Sequence, residues 1–206
     1  MSRFTLVVAI AAALVAGMWL GSTLLPREPL TVHGTVLEPP RRISDFRLVD
    51  HRGRPFSLTS LQGKWSFLFF GYTHCPDICS TTLHTLAQMD DILRREQPDI
   101  HEQTQVVFVS VDPQRDSSER LATYVPYFGS GFIGVTGSSE AIERLTRELG
   151  ILHMRVERGE GKGYLVEHSS AILLFDPQGR QRAVLTAPHQ AATLAEDFRQ
   201  LAEYET

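Results

Sequence analysis

The chain has 206 residues, of which 42% are hydrophobic and 21% are charged, and its formal net charge is -4 at pH 7. These values are ordinary for a globular protein, and we find no internal repeat and no low-complexity segment. The negative net charge and the absence of a lysine or arginine run argue against nucleic acid as a partner.

An apolar run near the N-terminus indicates a membrane anchor. Residues 4–25 carry no charged side chain, and as a helix they would be about 33 Å long, enough to cross a bilayer. Arg3 precedes the run and Trp19 lies near its far end, where an interfacial aromatic residue is expected. We interpret residues 1–26 as an uncleaved anchor, because the run is long for a signal peptide and lacks a clear cleavage pattern. The prediction is a single-pass membrane protein whose residues 27–206 form one exported domain; in a bacterium the anchor would lie in the inner membrane and the domain in the periplasm.

Three strands are predicted at the front of this domain. Alternating apolar residues indicate a strand at residues 30–37, and the prolines within residues 38–42 indicate an irregular connection. Residues 45–49 and 54–58 flank a turn signal at residues 50–53, and this pattern predicts a β-hairpin.

The centre of the domain is a buried strand followed by a helix. A nearly continuous apolar run at residues 65–70 predicts the strand. Apolar residues then recur at helical spacing within residues 83–93. Because proline suits the first turn of a helix, we expect this helix to begin at Cys75 or Pro76.

Strands and helices alternate through the rest of the chain, and a hairpin and a helix end it. This order indicates an α/β, thioredoxin-like fold with a β-hairpin extension at its front. The remaining predicted strands are residues 105–111, 132–135, 151–156, 164–166, 171–175 and 182–185, and the remaining predicted helices are residues 120–127, 141–149 and 191–204.

Cys75 and Cys79 are the only cysteines, and both lie where the predicted strand meets the predicted helix. Positions i and i+4 of a helix share one face, with their Cβ atoms roughly 5–6 Å apart. The helix dipole and the free N–H groups at a helix N-terminus favour thiolate over thiol. The pair therefore suits a shared metal ion or a redox disulfide. A purely structural disulfide is the weaker interpretation, because it would close a very short loop.

Three stretches carry a more specific signal. Residues 70–79 read FGYTHCPDIC, residues 110–116 read SVDPQRD, and residues 164–170 read YLVEHSS, followed by a turn at residues 176–179. In this order they closely resemble the motifs of the Sco/SenC family of membrane-anchored copper proteins. The resemblance extends from about Asp45 to the end of the chain and includes the N-terminal anchor.

The resemblance implies a thioredoxin fold and one copper ion per monomer, Cu(I) or Cu(II), bound by Cys75, Cys79 and His168. Family members deliver copper to the binuclear copper centre in subunit II of cytochrome c oxidase, or prepare its thiols. The implied partners are therefore that subunit and other copper chaperones. Ser80 departs from the family pattern, in which a second proline commonly follows the first motif, but it lies outside the implied ligand set. By sequence position alone, His168 would be interpreted as a structural histidine.

The residue types leave other chemistries open. Two thiolates and one imidazole with an open position also suit zinc. Cys75 and Cys79 are equally the redox pair that a thiol–disulfide oxidoreductase requires. Thr73, two positions before Cys75, resembles faintly the arrangement of a peroxidase.

Two acidic residues are candidates for a supporting role at the metal site. Asp77 lies between the cysteines, where a carboxylate complements the helix dipole. Asp112 follows a predicted central strand, and such strand ends place functional side chains in α/β folds. Tyr72 and Tyr164 are interpreted as packing residues.

Overall fold

The computed structural model describes residues 12–18, 32–159 and 163–204. The chain divides into two compact units, Met1–Thr31 and Val32–Thr206. Within the first unit, residues 12–18 are helical, and the rest of the predicted anchor lies outside the described residues. No helix among the residues described is long and apolar enough to span a bilayer. The anchor at residues 1–26 and the domain boundary at residue 27 therefore stay predictions.

The second unit contains ten strands and five α-helices in its described parts. Two short 3-10 helices, Leu58–Leu61 and Val125–Tyr127, complete the helical structure of this unit as described. The strands are β1 (Gly34–Arg41), β2 (Leu48–Asp50), β3 (Pro55–Phe56), β4 (Trp65–Gly71), β5 (Thr104–Ser110), β6 (Ile133–Thr136), β7 (His153–Glu157), β8 (Tyr164–His168), β9 (Ile172–Phe175) and β10 (Gln181–Leu185). The α-helices are α1 (Ile78–Glu96), α2 (Pro98–Glu102), α3 (Ser118–Tyr124), α4 (Ser139–Leu149) and α5 (Ala191–Tyr204).

Eight of the strands form one sheet in the order β1-β10-β9-β4-β5-β6-β2-β3. Strands β4, β5 and β6 are parallel, whereas β9 runs antiparallel to β4 and forms a hairpin with β10. Strand β4 lies at the centre with every residue buried, which explains why its sequence is apolar without alternation. This arrangement is the α/β, thioredoxin-like fold that the order of elements predicts. The predicted front hairpin is confirmed as β2 and β3, and β2 joins it to β6.

The core beside β4 is closed by α1 and α5, which contact each other. Leu83, Leu86, Met89 and Leu93 of α1 are buried, as the helical spacing predicts. Phe198 of α5 is fully buried and meets the rings of Trp65 and Phe67 edge-on, at centroid distances of 5.5 and 5.1 Å. This aromatic contact fastens the last helix to the central strand.

Two predicted boundaries are wrong. The first strand is Gly34–Arg41 rather than residues 30–37, so it includes the prolines that predict an irregular connection. Strand β1 is an edge strand, where a missing N–H leaves no ladder bond broken, and its register shifts between Val36 and Arg41. The helix expected to begin at Cys75 or Pro76 begins at Ile78. The other predicted elements are confirmed with small shifts at their ends.

Replacing Phe198 by alanine should lower the free energy of unfolding by about 3–5 kcal/mol, because it leaves a cavity against two aromatic rings. Urea denaturation of the purified protein measures this change. Tyr127→Ala is the control, because that aromatic side chain is 77% exposed and its loss should change stability by no more than about 0.5 kcal/mol. Equal effects of the two substitutions would contradict the place given to Phe198 in the core.

Candidate metal centre

Cys75, Cys79 and His168 converge at one point of the fold. Cys75 lies in the turn between β4 and α1, Cys79 lies in the first turn of α1, and His168 ends β8. One ligand atom from each residue, two sulfurs and one imidazole nitrogen, lies within 4.8 Å of the other two. The structure therefore brings together the three residues that the family resemblance implies as metal ligands.

The two cysteines approach each other through a turn and not along a helix face. The Cys75 N–H donates to the Tyr72 carbonyl at 3.2 Å, which folds the chain before α1 begins. Asp77 is the N-cap residue of α1, and its carboxylate accepts a 3.3 Å hydrogen bond from the Thr81 hydroxyl. The prediction that Cys75 and Cys79 occupy one helix face is wrong, but the proximity it implied is confirmed.

The two cysteines differ in their pKa values. Neither is in a disulfide; Cys75 is half-buried and Cys79 is buried. The pKa of Cys75 is lowered to about 4, chiefly by the hydrogen bond that its sulfur accepts from the Cys79 thiol. Burial opposes this effect, and His168 and the N–H groups of Asp77 and Cys79 also contribute to the lowering. The pKa of Cys79 is raised, first by its hydrogen bond to Cys75 and then by burial.

The imidazole of His168 turns its Nε2 atom toward the sulfurs. Its Nδ1 lies 3.0 Å from the Ser169 carbonyl oxygen. Because a carbonyl only accepts, Nδ1 carries a proton, and Nε2 is the ring nitrogen that is available to the cysteine pair. Nε2 is 3.2 Å from Cys79 Sγ. The ring packs edge-on against Phe69 and Tyr72, which hold its plane.

Gly71 is required for the position of Cys79, and sequence reasoning missed it. A Cβ atom at this position would lie 2.6 Å from Cys79 Sγ and 2.8 Å from the Phe108 ring. Both distances are too short for a real contact, so the sulfur occupies space that only glycine leaves free. The one signal in the sequence is that Gly71 ends the apolar strand immediately before the cysteine motif.

Asp116 positions the chain that leads to Cys75, and it too was missed as a site residue. Its carboxylate is fully buried and accepts hydrogen bonds from the Thr73 N–H (2.8 Å), the Thr73 hydroxyl (2.6 Å) and the Ser110 hydroxyl (2.7 Å). The Thr73 hydroxyl hydrogen is thus directed at Asp116 and not at Cys75. This geometry does not favour the peroxidase interpretation.

Neither Asp77 nor Asp112 belongs to the Cys–Cys–His group. Asp77 is exposed at the start of α1. Asp112 is buried just after β5, where it pairs with Arg115 and accepts a 2.8 Å hydrogen bond from the Tyr164 hydroxyl. Tyr164, interpreted from the sequence as a packing residue, is therefore also a hydrogen-bond donor. The supporting roles of the two aspartates stay predictions.

This region of the chain is similar to known proteins in sequence and in structure. The SCO1/SenC family profile matches residues 35–203, which include all three residues of the group. A Stutzerimonas stutzeri protein named for copper binding is 40% identical over 171 residues, 82% of either chain. The mitochondrial SCO2 homolog of Mus musculus is 39% identical over 135 residues, 66% of this chain and 52% of the mouse protein, so the match spans about half of that relative. The crystal structure of Arabidopsis thaliana ScoI with copper bound has a TM-score of 0.73 at 33% identity, covering 78% of this chain and 98% of that one.

Gly71→Ala should displace the Cys79 sulfur and lower the free energy of unfolding by about 1–3 kcal/mol, because the new methyl group overpacks the site. Urea denaturation measures the stability. Gly131→Ala is the matched control, because a Cβ there meets no atom within 4 Å. A Gly71→Ala protein as stable as the control would contradict the close approach.

Alkylation of Cys75 in the reduced, metal-free protein should proceed at a nearly constant rate between about pH 6 and pH 9, because a thiol with a lowered pKa is already ionised there. The rate should fall only as the pH drops toward about 4, where the thiolate is protonated. Iodoacetamide labelling followed by peptide mass spectrometry measures it. In Cys79→Ala, which lacks the thiol donor, the rate should instead rise with pH across this range. A rise in the wild-type protein, like that of an ordinary thiol, would refute the assignment of the charge to Cys75.

Proposed function

Because this chain belongs to the SCO1/SenC family, we propose that it is a copper metallochaperone that binds one copper ion through Cys75, Cys79 and His168. The observation that carries the proposal is the convergence of two sulfurs and one imidazole nitrogen within 4.8 Å. The Stutzerimonas stutzeri relative is named for copper binding and the Arabidopsis thaliana structure has copper bound, and both proteins support the choice of metal.

The donor set suits a metal that is held and then passed on. Thiolate sulfur prefers Cu(I), and imidazole is a suitable ligand for both oxidation states of copper. Three protein ligands leave a position at which a ligand from a partner can enter before the protein's own ligands leave. Cys2His sites with an open position also bind zinc, so the experiment must compare the two metals.

Copper binding requires the loss of one proton from the cysteine pair. Cys75 is already ionised at neutral pH, whereas the raised pKa of Cys79 keeps its proton in place. The positive charge of the metal replaces that proton and stabilises the second thiolate. His168 would bind the metal through Nε2, because Nδ1 is engaged by the Ser169 carbonyl.

The family resemblance supports the destination of the copper. We infer that the chain delivers it for assembly of the binuclear copper centre in subunit II of cytochrome c oxidase, and that other copper chaperones supply it. The uncharged residues 4–25 support a membrane anchor, with the copper-binding domain in the periplasm of a bacterium.

Thiol–disulfide exchange is the second candidate function. The different environments of the cysteines favour it: Cys75 is half-buried and ionised, as an attacking thiolate must be, and Cys79 is buried behind it. Such a protein would reduce the paired target cysteines of the oxidase subunit before the copper arrives.

Replacing His168 by alanine should weaken Cu(I) binding by about tenfold or more, because one of three ligands is lost. Titration of the reduced, full-length protein against a competing Cu(I) chelator measures the affinity, and a thiolate-to-Cu(II) absorption band after oxidation reports the sulfur ligands. A parallel titration with Zn²⁺ tests metal preference. His101→Ala is the control, because His101 is also half-buried and hydrogen-bonded, to Asp90, but lies in α2.

Equal Cu(I) affinity in the wild-type protein and His168→Ala would reject the three-ligand site. Weak copper binding together with rapid exchange of Cys75 with a peptide that carries a pair of cysteines would favour the oxidoreductase.

A further inference from the structure

The strand that carries His168 is not joined to the main sheet by a backbone ladder. Strands β7 and β8 pair with each other, and in the described chain neither pairs with a strand of the eight-stranded sheet. The Ser169 N–H donates to the Leu152 carbonyl, which closes this hairpin on itself. Beyond the three-residue link from His168 to β9, side-chain contacts therefore position the hairpin relative to the cysteines.

One such set of contacts lies at the opposite end of β8, at Tyr164. The Tyr164 hydroxyl donates to Asp112 at 2.8 Å, and the Tyr164 carbonyl accepts from Arg115 Nη1 at 3.1 Å. Arg115 also pairs with Asp112 through Nε. The guanidinium groups of Arg115 and Arg155 lie over the Tyr164 ring, at 3.7 and 3.6 Å from its centroid. Stacking and hydrogen bonding thus dock the hairpin on the segment that follows β5.

A second contact joins the hairpin to the cysteine loop through Tyr72. The Tyr72 ring packs edge-on against the His168 ring, with their centroids 5.9 Å apart. The Arg115 guanidinium lies 5.6 Å from the Tyr72 ring centroid as well. Arg115 therefore contacts both the residue that begins the cysteine loop and the strand that ends in His168.

We propose that Arg115 is a positioning residue of the metal centre, which holds β8 against Asp112 and Tyr72 so that His168 Nε2 faces the sulfurs of Cys75 and Cys79. Arg115 acts through Tyr164 and does not touch the metal. Lysine cannot replace it, because an ammonium group offers neither the planar stacking surface nor the two directed donors that bind Asp112 and the Tyr164 carbonyl. The inference depends on the proposed copper function only in the second test below, which measures the affinity for Cu(I).

The first test uses the metal-free, reduced, full-length protein, so it does not depend on copper. Nuclear Overhauser contacts between the His168 ring protons and the Cys79 β-protons report the distance between these side chains. Arg115→Lys should weaken these contacts by about threefold or more, since the hairpin loses the stacked guanidinium and its two directed hydrogen bonds. Tyr164→Phe, which removes one oxygen atom, should weaken them in the same direction. Arg180→Lys is the matched control, because Arg180 also pairs through Nε with a buried aspartate, Asp176, but in the β9–β10 turn.

The second test measures Cu(I) affinity in a double-mutant cycle. Arg115→Lys should weaken binding by about tenfold in the wild-type background, as expected for a residue that orients a metal ligand. In the His168→Ala background the same substitution should change the affinity by less than about twofold, because the ligand that it orients is gone. Arg180→Lys should have no effect in either background.

Three results would overturn the proposal: unchanged contacts in Arg115→Lys, an equal loss of affinity with and without His168, or an equal effect of Arg180→Lys. If Arg115→Lys does not fold, as judged by circular dichroism, Tyr164→Phe carries both tests with the same expected directions. If the wild-type protein does not bind copper, the proposed function fails, while the nuclear Overhauser measurement still decides the role of Arg115.

Discussion

The metal centre depends on two buried carboxylates in one short segment, Asp112 and Asp116. A buried charge is costly unless hydrogen bonds or an opposite charge compensate it. Asp116 obtains this compensation from Thr73, in the loop before Cys75, and Asp112 obtains it from Tyr164, at the start of the strand that ends in His168. Each carboxylate thus binds one half of the site. Both carboxylates follow the buried strand β5. The loop before Cys75 and the β7–β8 hairpin are therefore positioned relative to the same strand.

The pKa values of the two cysteines favour the binding of a cation. The lowered pKa of Cys75 places a negative charge on the more exposed sulfur, and the raised pKa of Cys79 keeps the buried sulfur neutral. Burying two adjacent thiolates without a metal would create an uncompensated charge, so a shared proton is the stable alternative. The same proton is what an incoming metal displaces. Electrostatics and burial therefore explain why the pair retains one proton and why a soft metal can replace it.

Much of the fold follows from local patterns. The continuous apolar run at β4 and the helical stripe of α1 each indicate burial within a single element. Prediction failed where local and tertiary demands differ. Pro39 and Pro40 indicate an irregular segment, yet they lie in β1, because an edge strand tolerates missing donors. Cys75 was expected inside a helix that instead starts at Ile78.

The sequence by itself determined the elements of the fold, the reactive cysteine pair at the end of a buried strand and, through its family motifs, the identity of His168 as the third residue. Only the tertiary structure decided how that set is assembled. His168 is 89 positions from Cys79, and its approach depends on Tyr164, Asp112 and Arg115, which hold a hairpin outside the main sheet. Gly71 matters only because the Cys79 sulfur occupies the place of its missing Cβ. Hydrophobic periodicity shows which side of an element is buried. It carries no information on which distant side chain lies opposite, and that is set by packing between elements.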